Sequence, residues 1–367
     1  MPKIKHSDHF HGSDLEKIEE IYGIKKEEIT SFSANVNPLG LSNKLREDLA
    51  SHLDVITGYP DRDYLSLRKV IADYCDSEYE KIIVGNGSTE LISLFIQVQH
   101  PRKALIVGPT YSEYEREVSI GGGTSLYFPL REEDDFDLDL NALKAQLNES
   151  IDLLILCNPN NPTSSAISRK TMRSILDVCK QHDIFVMVDE TYIEFSENYQ
   201  ELNSIPLTSY YNNIIILRGI SKFFASPGLR LGYAITGNLE IIKLMNSRKN
   251  PWTINSLAEE AGRLMFTDTD YIEATRQLIF SERKRVVAAL KEINGLKVFE
   301  PVANFVLVKI ENEDMNADIL FDICIRNKMM IRNCCTFPFL DNKYFRICFM
   351  SKEMNDALIA TIKNAMK

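Results

Sequence analysis

The stretch R-G-I-S-K-F-F-A-S-P-G-L-R-L-G-Y, Arg218 to Tyr233, decides how the rest of the chain is read. A β-branched run, Ile214 to Leu217, leads into it and predicts a buried strand. Lys222 then falls on a short loop, Pro227-Gly228 turns the chain, and Arg230 stands just before a second apolar strand, Tyr233 to Ile235. A lysine at the edge of a dry core can lose its proton and act as an amine nucleophile. An arginine beside it can fork two donors onto a phosphate, which a lysine cannot match. An ordinary basic loop would use the same residue types, so the surrounding chain has to decide between the two readings.

Working outward, short apolar runs recur at Lys81 to Val84, Ala104 to Val107, Leu126 to Pro129, Ile151 to Cys157 and Ile184 to Val188. Helical spacing fills most of the gaps, at Thr89 to Gln99, Tyr111 to Ser119, Leu140 to Leu147 after the cap Asp139, and Arg169 to Gln181 after the cap Ser168. Strands alternating with helices predict an α/β fold, a mostly parallel seven-stranded sheet covered on both faces. Upstream, Asp14 to Tyr22 and Leu45 to Leu53 have helical spacing, while Ser31 to Gly40 and Thr57 to Tyr64 read as loops. Beyond Pro251-Trp252 long helices at Ser256 to Phe266 and Asp270 to Ile293 lead to short strands at Phe305 to Lys309, Met329 to Ile331 and Tyr344 to Phe349. Helices at Ala317 to Arg326 and Lys352 to Met366 alternate with them. The expected organisation is an N-terminal arm over 1–40, a large domain over 41–252 and a smaller α/β domain over 253–367.

Composition narrows the function. A net charge of −10 offers no general attraction to nucleic acid or an anionic membrane, so any anion site must be a local arginine cluster. No run approaches the length of about twenty apolar residues needed to span a bilayer. The N-terminus M-P-K-I-K-H-S-D-H-F-H lacks the apolar core of a signal peptide. Seven scattered cysteines without a C-x-x-C suit a reducing compartment, so a cytoplasmic location is expected. His6, His9 and His11 with Asp8 have no second ligand cluster to complete a metal site, and no metal is expected. Cys334 and Cys335, as sequence neighbours, are poorly placed to bridge each other.

In an open parallel sheet ligands gather at the carboxyl ends of the strands, and the unusual residues here fall at those ends. After Val84 comes G-N-G-S-T-E, whose Gly87, Ser88 and Thr89 open a helix and can present free N–H groups to a phosphate. After Cys157 comes N-P-N-N-P-T, where two prolines aim Asn161. Asp189 ends the Ile184 run with Tyr192 three residues on, and a carboxylate there can hold a positive charge in a dry site. Tyr111, in P-T-Y-S-E-Y, is placed to stack on a flat ring. A lysine amine, an acid for a ring nitrogen, an amide and a phenol for a ring oxygen, an aromatic cover and a phosphate cup together match pyridoxal 5′-phosphate.

On these residues the chain resembles, over nearly its whole length, the fold-type I pyridoxal-phosphate enzymes of the aspartate aminotransferase superfamily. The resemblance implies that Lys222 condenses with the cofactor's aldehyde and that Asp189 sits on the ring nitrogen. It also implies Asn161 and Tyr192 on the phenolate oxygen, Tyr111 against the ring, and Ser88, Thr89, Ser221 and Arg230 around the phosphate. Within the superfamily the chain is most similar to the threonine-phosphate decarboxylases of cobalamin synthesis, through His11-Gly12, then S-A-N-V-N-P-L-G at Ser33 to Gly40, then Tyr59-Pro60-Asp61. It is also similar to histidinol-phosphate aminotransferases. In I-R-N-C-C-T-F-P-F-L-D-N-K-Y-F-R, Arg332 and Arg346 stand where that family places its two substrate arginines.

The resemblance implies Arg346 on a substrate carboxylate, Arg332, His11 and Asn35 around a substrate phosphate, and Tyr59 on the cofactor phosphate of a neighbouring subunit, hence a homodimer. Two positions depart from the pattern: Gly219 replaces a Ser or Thr three residues before the lysine, and Ser164 replaces the glycine after N-N-P-T. The implied activity is decarboxylation of L-threonine phosphate or L-serine phosphate, with a histidinol-phosphate type of aminotransferase as the alternative. A transcription regulator built on the same fold would carry an N-terminal DNA-binding module, and only a short, non-basic leader precedes this fold.

Overall fold

The structure, a computed structural model, describes residues 14–367. The readings placed on His11, Gly12 and the histidines before them therefore lie outside the described residues. Helix α1 (Leu15–Tyr22), strand β1 (Thr30–Ser31), α2 (Asn43–Ser51) and α3 (Leu65–Cys75) come first. The alternating region runs β2 (Ile82–Gly85), α4 (Gly87–Gln99), β3 (Lys103–Gly108), α5 (Glu113–Ile120), β4 (Thr124–Pro129), α6 (Leu140–Gln146), β5 (Leu153–Cys157) and α7 (Arg169–Gln181). It continues with β6 (Phe185–Asp189), the single turn α8 (Tyr199–Leu202), β7 (Ile214–Gly219), β8 (Gly232–Ile235) and α9 (Leu239–Arg248). The C-terminal part holds α10 (Ser256–Met265), α11 (Thr269–Lys291), β9 (Leu296–Val298), β10 (Phe305–Ile310), α12 (Ala317–Arg326), β11 (Met329–Met330), β12 (Arg332–Asn333), β13 (Tyr344–Cys348) and α13 (Lys352–Ala365).

The seven expected strands form one sheet in the order β2-β8-β7-β6-β5-β3-β4, mixed because β8 alone runs antiparallel to its neighbours. Every residue of β5, β6 and β7 is buried, and successive residues alternate between two cores. Ile214, Ile216, Val186 and Val188 join one core, and Ile215, Leu217 and Met187 join the other. Period-2 side chains that are apolar on both faces require a sheet covered on both sides. This is the fold-type I architecture. The C-terminal strands form a four-stranded antiparallel sheet, β12-β13-β10-β9. The expected strand at Met329 to Ile331 divides: β11 pairs in parallel with β1, while β12 pairs with β13. Among the described residues no helix is long and apolar enough to cross a membrane.

Three helices beyond those expected appear, α3, the single turn α8, and α9. The start of α3 carries no side-chain cap at its own N-cap position, Tyr64, which is left-handed at φ 49. Asp61 does the capping from farther back, its carboxylate accepting from the N–H groups of Leu65 (2.7 Å) and Asp63 (3.1 Å).

Arg218, the first residue of the stretch quoted at the outset, is a fully buried charge. Its Nε and Nη2 donate to Glu190 Oε2 at 3.1 and 2.6 Å, Nη2 also to Asn203 Oδ1 at 2.8 Å, and Nη1 to the Tyr199 hydroxyl at 2.9 Å. The pair ties the end of β6 to the end of β7, the two places from which Asp189 and Lys222 project. Removing one partner strands the other charge in the core. Replacing Arg218 with Met is expected to lower unfolding free energy by about 3–5 kcal/mol in a urea titration.

Candidate active site

The residues expected to carry chemistry line one cavity of about 400 Å³ at the carboxyl ends of β3, β5, β6 and β7. Ser88, Thr89, Tyr111, Asn161, Asp189, Tyr192, Ser221, Lys222, Arg230, Arg332 and Arg346 all line it. Asn35 lies at its wall, its Nδ2 donating to the Tyr192 hydroxyl at 3.4 Å. Tyr59 does not line the cavity of its own chain: it is 83% exposed, with its ring 4.8 Å from that of Trp252.

Lys222 follows β7 on a tight turn and its Nζ donates to the Ala34 carbonyl at 2.6 Å. Burial, with Arg346 nearby, pulls its amine down to about 8. Asp189 is buried at the end of β6. Its Oδ1 accepts from the Thr191 N–H (2.9 Å) and hydroxyl (2.6 Å), and its Oδ2 from the Tyr114 hydroxyl (2.7 Å). Burial pushes this carboxyl up, and those donors pull it back toward the ionised form. Among the described residues no cation pairs with it, so the cavity holds a buried acid that still requires a positive partner.

Gly87 begins α4 at φ +80, and a Cβ there would lie 2.4 Å from Arg230 Nη2. Only glycine lets the guanidinium lie this close over the helix N-terminus, where free N–H groups and an arginine converge on one anion position. Among the described residues the hydrogen bonds of the Arg230 guanidinium go to the carbonyls of Pro227 (3.2 Å) and Asn86 (3.5 Å). At Gly219 a Cβ would sit 3.7 Å from Ser88 Oγ, so the hydroxyl missing from this position would have faced the same cup.

Arg346 Nη1 donates to Asn161 Oδ1 and Nη2 to the Ser33 carbonyl at 2.6 Å, leaving its buried Nε without a partner. Because Asn161 Oδ1 is taken, its Nδ2 is the atom left to donate into the cavity. Arg332 Nη2 donates to Thr336 Oγ1 at 3.0 Å. Arg332 and Arg346 are Cα partners across β12 and β13, so their side chains rise from one face of the sheet. Burial, then Arg346, lowers the Arg332 guanidinium below its usual range.

Sequence reasoning missed Tyr114, Thr191, Ser33 and Thr336. Tyr114 stands one helical turn after Tyr111, and their rings meet edge to face at 5.6 Å. Thr191 stands two residues after Asp189, the spacing at which an Asp side chain accepts from a following N–H. Ser33 and Thr336 carried no signal beyond lying near named residues.

The pattern describing the family "Aminotransferase class I and II" matches residues 27–362. The chain belongs to this family. It is 33% identical to the threonine-phosphate decarboxylase of Salmonella typhimurium, over 97% of this chain and 96% of that one. It is 32% identical to a histidinol-phosphate aminotransferase of Ruminiclostridium cellulolyticum, over 89% of this chain and 90% of that one. The crystal structure of the histidinol-phosphate aminotransferase from Clostridium acetobutylicum superposes with a TM-score of 0.86 at 31% identity, covering 91% of this chain and 98% of that one.

Pyridoxal 5′-phosphate is the cofactor of this family, and the cavity fits it. An acid without a cation, an amine without a carboxylate and a helix N-terminus under an arginine are the three groups that its ring nitrogen, aldehyde and phosphate would satisfy. The neutral amine is the form that attacks an aldehyde. With Lys222 near 8 in place of the ordinary 10.5, cofactor capture by the apoprotein should accelerate as pH rises and level off above about 8. Stopped-flow absorbance between pH 6 and pH 10 measures this, and a rate still climbing at pH 10 would contradict it. Exchanging Lys222 for Ala should abolish the yellow absorbance.

Proposed function

We propose that the protein decarboxylates a small O-phosphorylated amino acid, L-threonine phosphate or L-serine phosphate, releasing aminopropanol phosphate or ethanolamine phosphate. The observation that carries this reading is the pair Arg332 and Arg346. They are cross-strand neighbours whose side-chain hydrogen bonds go to neutral acceptors, with the Asp14 carboxylate near enough to Arg332 to favour its charge. Two cations side by side repel each other until anions are placed between or upon them. A phosphorylated amino acid brings a carboxylate and a phosphate a few bonds apart, whereas histidinol phosphate brings only the phosphate.

Pyridoxal 5′-phosphate, when bound, supplies the sink for the electron pair left by a broken bond at the substrate's Cα. Lys222 would hold the cofactor, and its amine, which faces the cavity, would serve as base or acid toward that carbon. Asp189 would keep the ring nitrogen protonated, its three donors favouring the carboxylate against the burial that pushes it toward the neutral form. Asn161 Nδ2 and the Tyr192 hydroxyl donate to the ring oxygen, and Tyr111 covers the ring face. Gly87, Ser88, Thr89, Ser221 and Arg230 take the phosphate. Arg346 takes the substrate carboxylate, while Arg332 and Asn35, with His11 and Gly12 from outside the described residues, take the substrate phosphate. By fixing where the substrate carboxylate lies, the two arginines would favour either loss of that carboxylate as CO2 or loss of the Cα proton, the step that leads to transamination.

Tyr59 supports a homodimer. It belongs to an exposed apolar surface with Leu53 (54%), Ile56 (63%) and Trp252 (43%), and we assign it to the phosphate of the neighbouring subunit's cofactor. The units 41–252 and 253–367, with an arm over 1–40, divide the work between cofactor and substrate. All seven cysteines are free, in keeping with a cytoplasmic protein.

Incubating the holoenzyme with either phosphorylated amino acid should release CO2 with no 2-oxo acid. Glutamate formed from 2-oxoglutarate would instead establish the aminotransferase reading, which the 32% identity to a histidinol-phosphate aminotransferase supports. Replacing Arg332 with Met removes one charged anchor and should raise KM for the phosphorylated substrate about 10–100-fold, with the cofactor absorbance unchanged.

A further inference from the structure

The loop that bears Asn161 ends in a residue whose backbone carries a steric cost. Ser164 has φ 61, the left-handed region that glycine occupies freely and other residues do not. It is fully buried, so its hydroxyl has no water to satisfy it. That hydroxyl accepts from two consecutive backbone N–H groups, Val302 at 3.1 Å and Ala303 at 2.9 Å. The Ser164 carbonyl accepts from the Val302 N–H as well, at 3.0 Å. A glycine would remove the strain but leave the Ala303 N–H without this acceptor.

The segment so held leads directly into β10 and touches the site repeatedly. Asn304 Nδ2 donates to the Asn35 carbonyl at 2.9 Å, and the Asn304 carbonyl accepts from the Phe349 N–H at 2.9 Å. Phe305, the first residue of β10, sets its ring 4.9 Å from that of Tyr192 and lies 5.2 Å beneath the Arg346 guanidinium. Farther along, Leu307 pairs with Arg346 itself across β10 and β13. On the other side of the same contact, Asn161 stands three residues before Ser164 and bonds Arg346 directly.

We propose that Ser164 is a positioning residue. Its hydroxyl pins the segment entering the four-stranded sheet to the Asn161 loop, and thereby holds Arg346 and Arg332 in register with the cofactor-binding end of the seven-stranded sheet. The arginines then meet the substrate's anions already placed, and less ordering is left for binding to accomplish. The affinity part of this inference rests on the proposed substrate class; the pin itself does not.

The test compares the holoenzymes of the wild type, Ser164→Gly and Ser164→Ala. Alanine keeps the strain at φ 61 and loses only the hydroxyl, so Ser164→Ala isolates the hydroxyl. Ser164→Gly removes the hydroxyl and the strain together and shows what the lost pin does once the strain is relieved. Losing one hydrogen-bond acceptor at such a joint should weaken binding of O-phospho-L-threonine or O-phospho-L-serine about five- to tenfold in both variants, chiefly in KM with little change in kcat. Cofactor affinity should stay within about twofold, because none of the groups around the cofactor phosphate is altered. Hydrogen exchange of peptides covering residues 300–305 should quicken about tenfold in both variants. Unchanged exchange in Ser164→Gly overturns the proposal, and so does a loss of affinity in Ser164→Ala alone, which would assign the effect to strain. If the wild type binds neither phosphorylated amino acid, the functional reading fails, and the exchange rates still decide for or against the pin.

Discussion

A buried carboxylate with no internal cation governs this molecule. Asp189 and Glu190 are consecutive, both buried at the end of β6, and strand alternation sends them to opposite faces of the sheet. On one face Glu190 is neutralised by Arg218, so that charge is closed within the protein. On the other face Asp189 has three neutral donors and no cation among the described residues. An ionised carboxylate left so in a dry interior is costly, and its burial already pushes the carboxyl toward the neutral form. A protonated ring nitrogen would resolve that cost, so one unmet charge would serve both the binding of the cofactor and the electronics the reaction needs.

The same economy appears at the substrate end. Arg346 spends two of its donors on Asn161 and on the Ser33 carbonyl, which fixes the guanidinium without neutralising it. Arg332 is oriented by a hydroxyl, again a neutral acceptor. Orientation by carbonyls and hydroxyls preserves the positive charge for a ligand, whereas a carboxylate partner would have consumed it. Lys222 follows the rule too: a carbonyl holds its amine, and desolvation weakens its proton. The ionised groups in the cavity are therefore oriented by hydrogen bonds to neutral partners, and Asp14 adds a favourable negative charge near Arg332.

Much of this was legible in the sequence, for reasons that also explain what was not. The seven strands were visible because β-branched runs such as Ile214 to Leu217 are apolar at every position, which only a sheet covered on both faces demands. Lys222, Asp189 and Asn161 could be named because each follows such a run, where parallel sheets open toward ligands. Helix α3 was not visible, since its cap, Asp61, lies four residues before Leu65 and outside the usual signal. Arg218 opened the quoted stretch yet gave no hint that it is buried, because a charge within an apolar run is explained only by the partner that the fold brings to it. Ser164 showed as a departure from pattern, but its acceptors' donors, Val302 and Ala303, lie far along the chain. Local chemistry can be read locally; charge compensation and interlocking across elements cannot.

The division between two reactions follows from where the residues sit. The groups that bear on the cofactor belong to strand ends of the seven-stranded sheet, and most of the chain's length builds that sheet and its covering helices. The groups proposed to bear on the substrate are few, two arginines on adjacent strands of the smaller sheet and short loops beside them. Identity over the whole chain therefore measures chiefly the shared scaffold, and it stands at 33% and 32% against relatives of the two activities. On the proposed reading, carbon dioxide loss and proton loss would be separated by how one carboxylate is held, and the seating of the smaller sheet against the larger would set that. The joint where Ser164 meets Val302 and Ala303 is part of that seating. On that proposal, reaction choice would be a property of the register between two sheets, and no catalytic group would need to change for it to move.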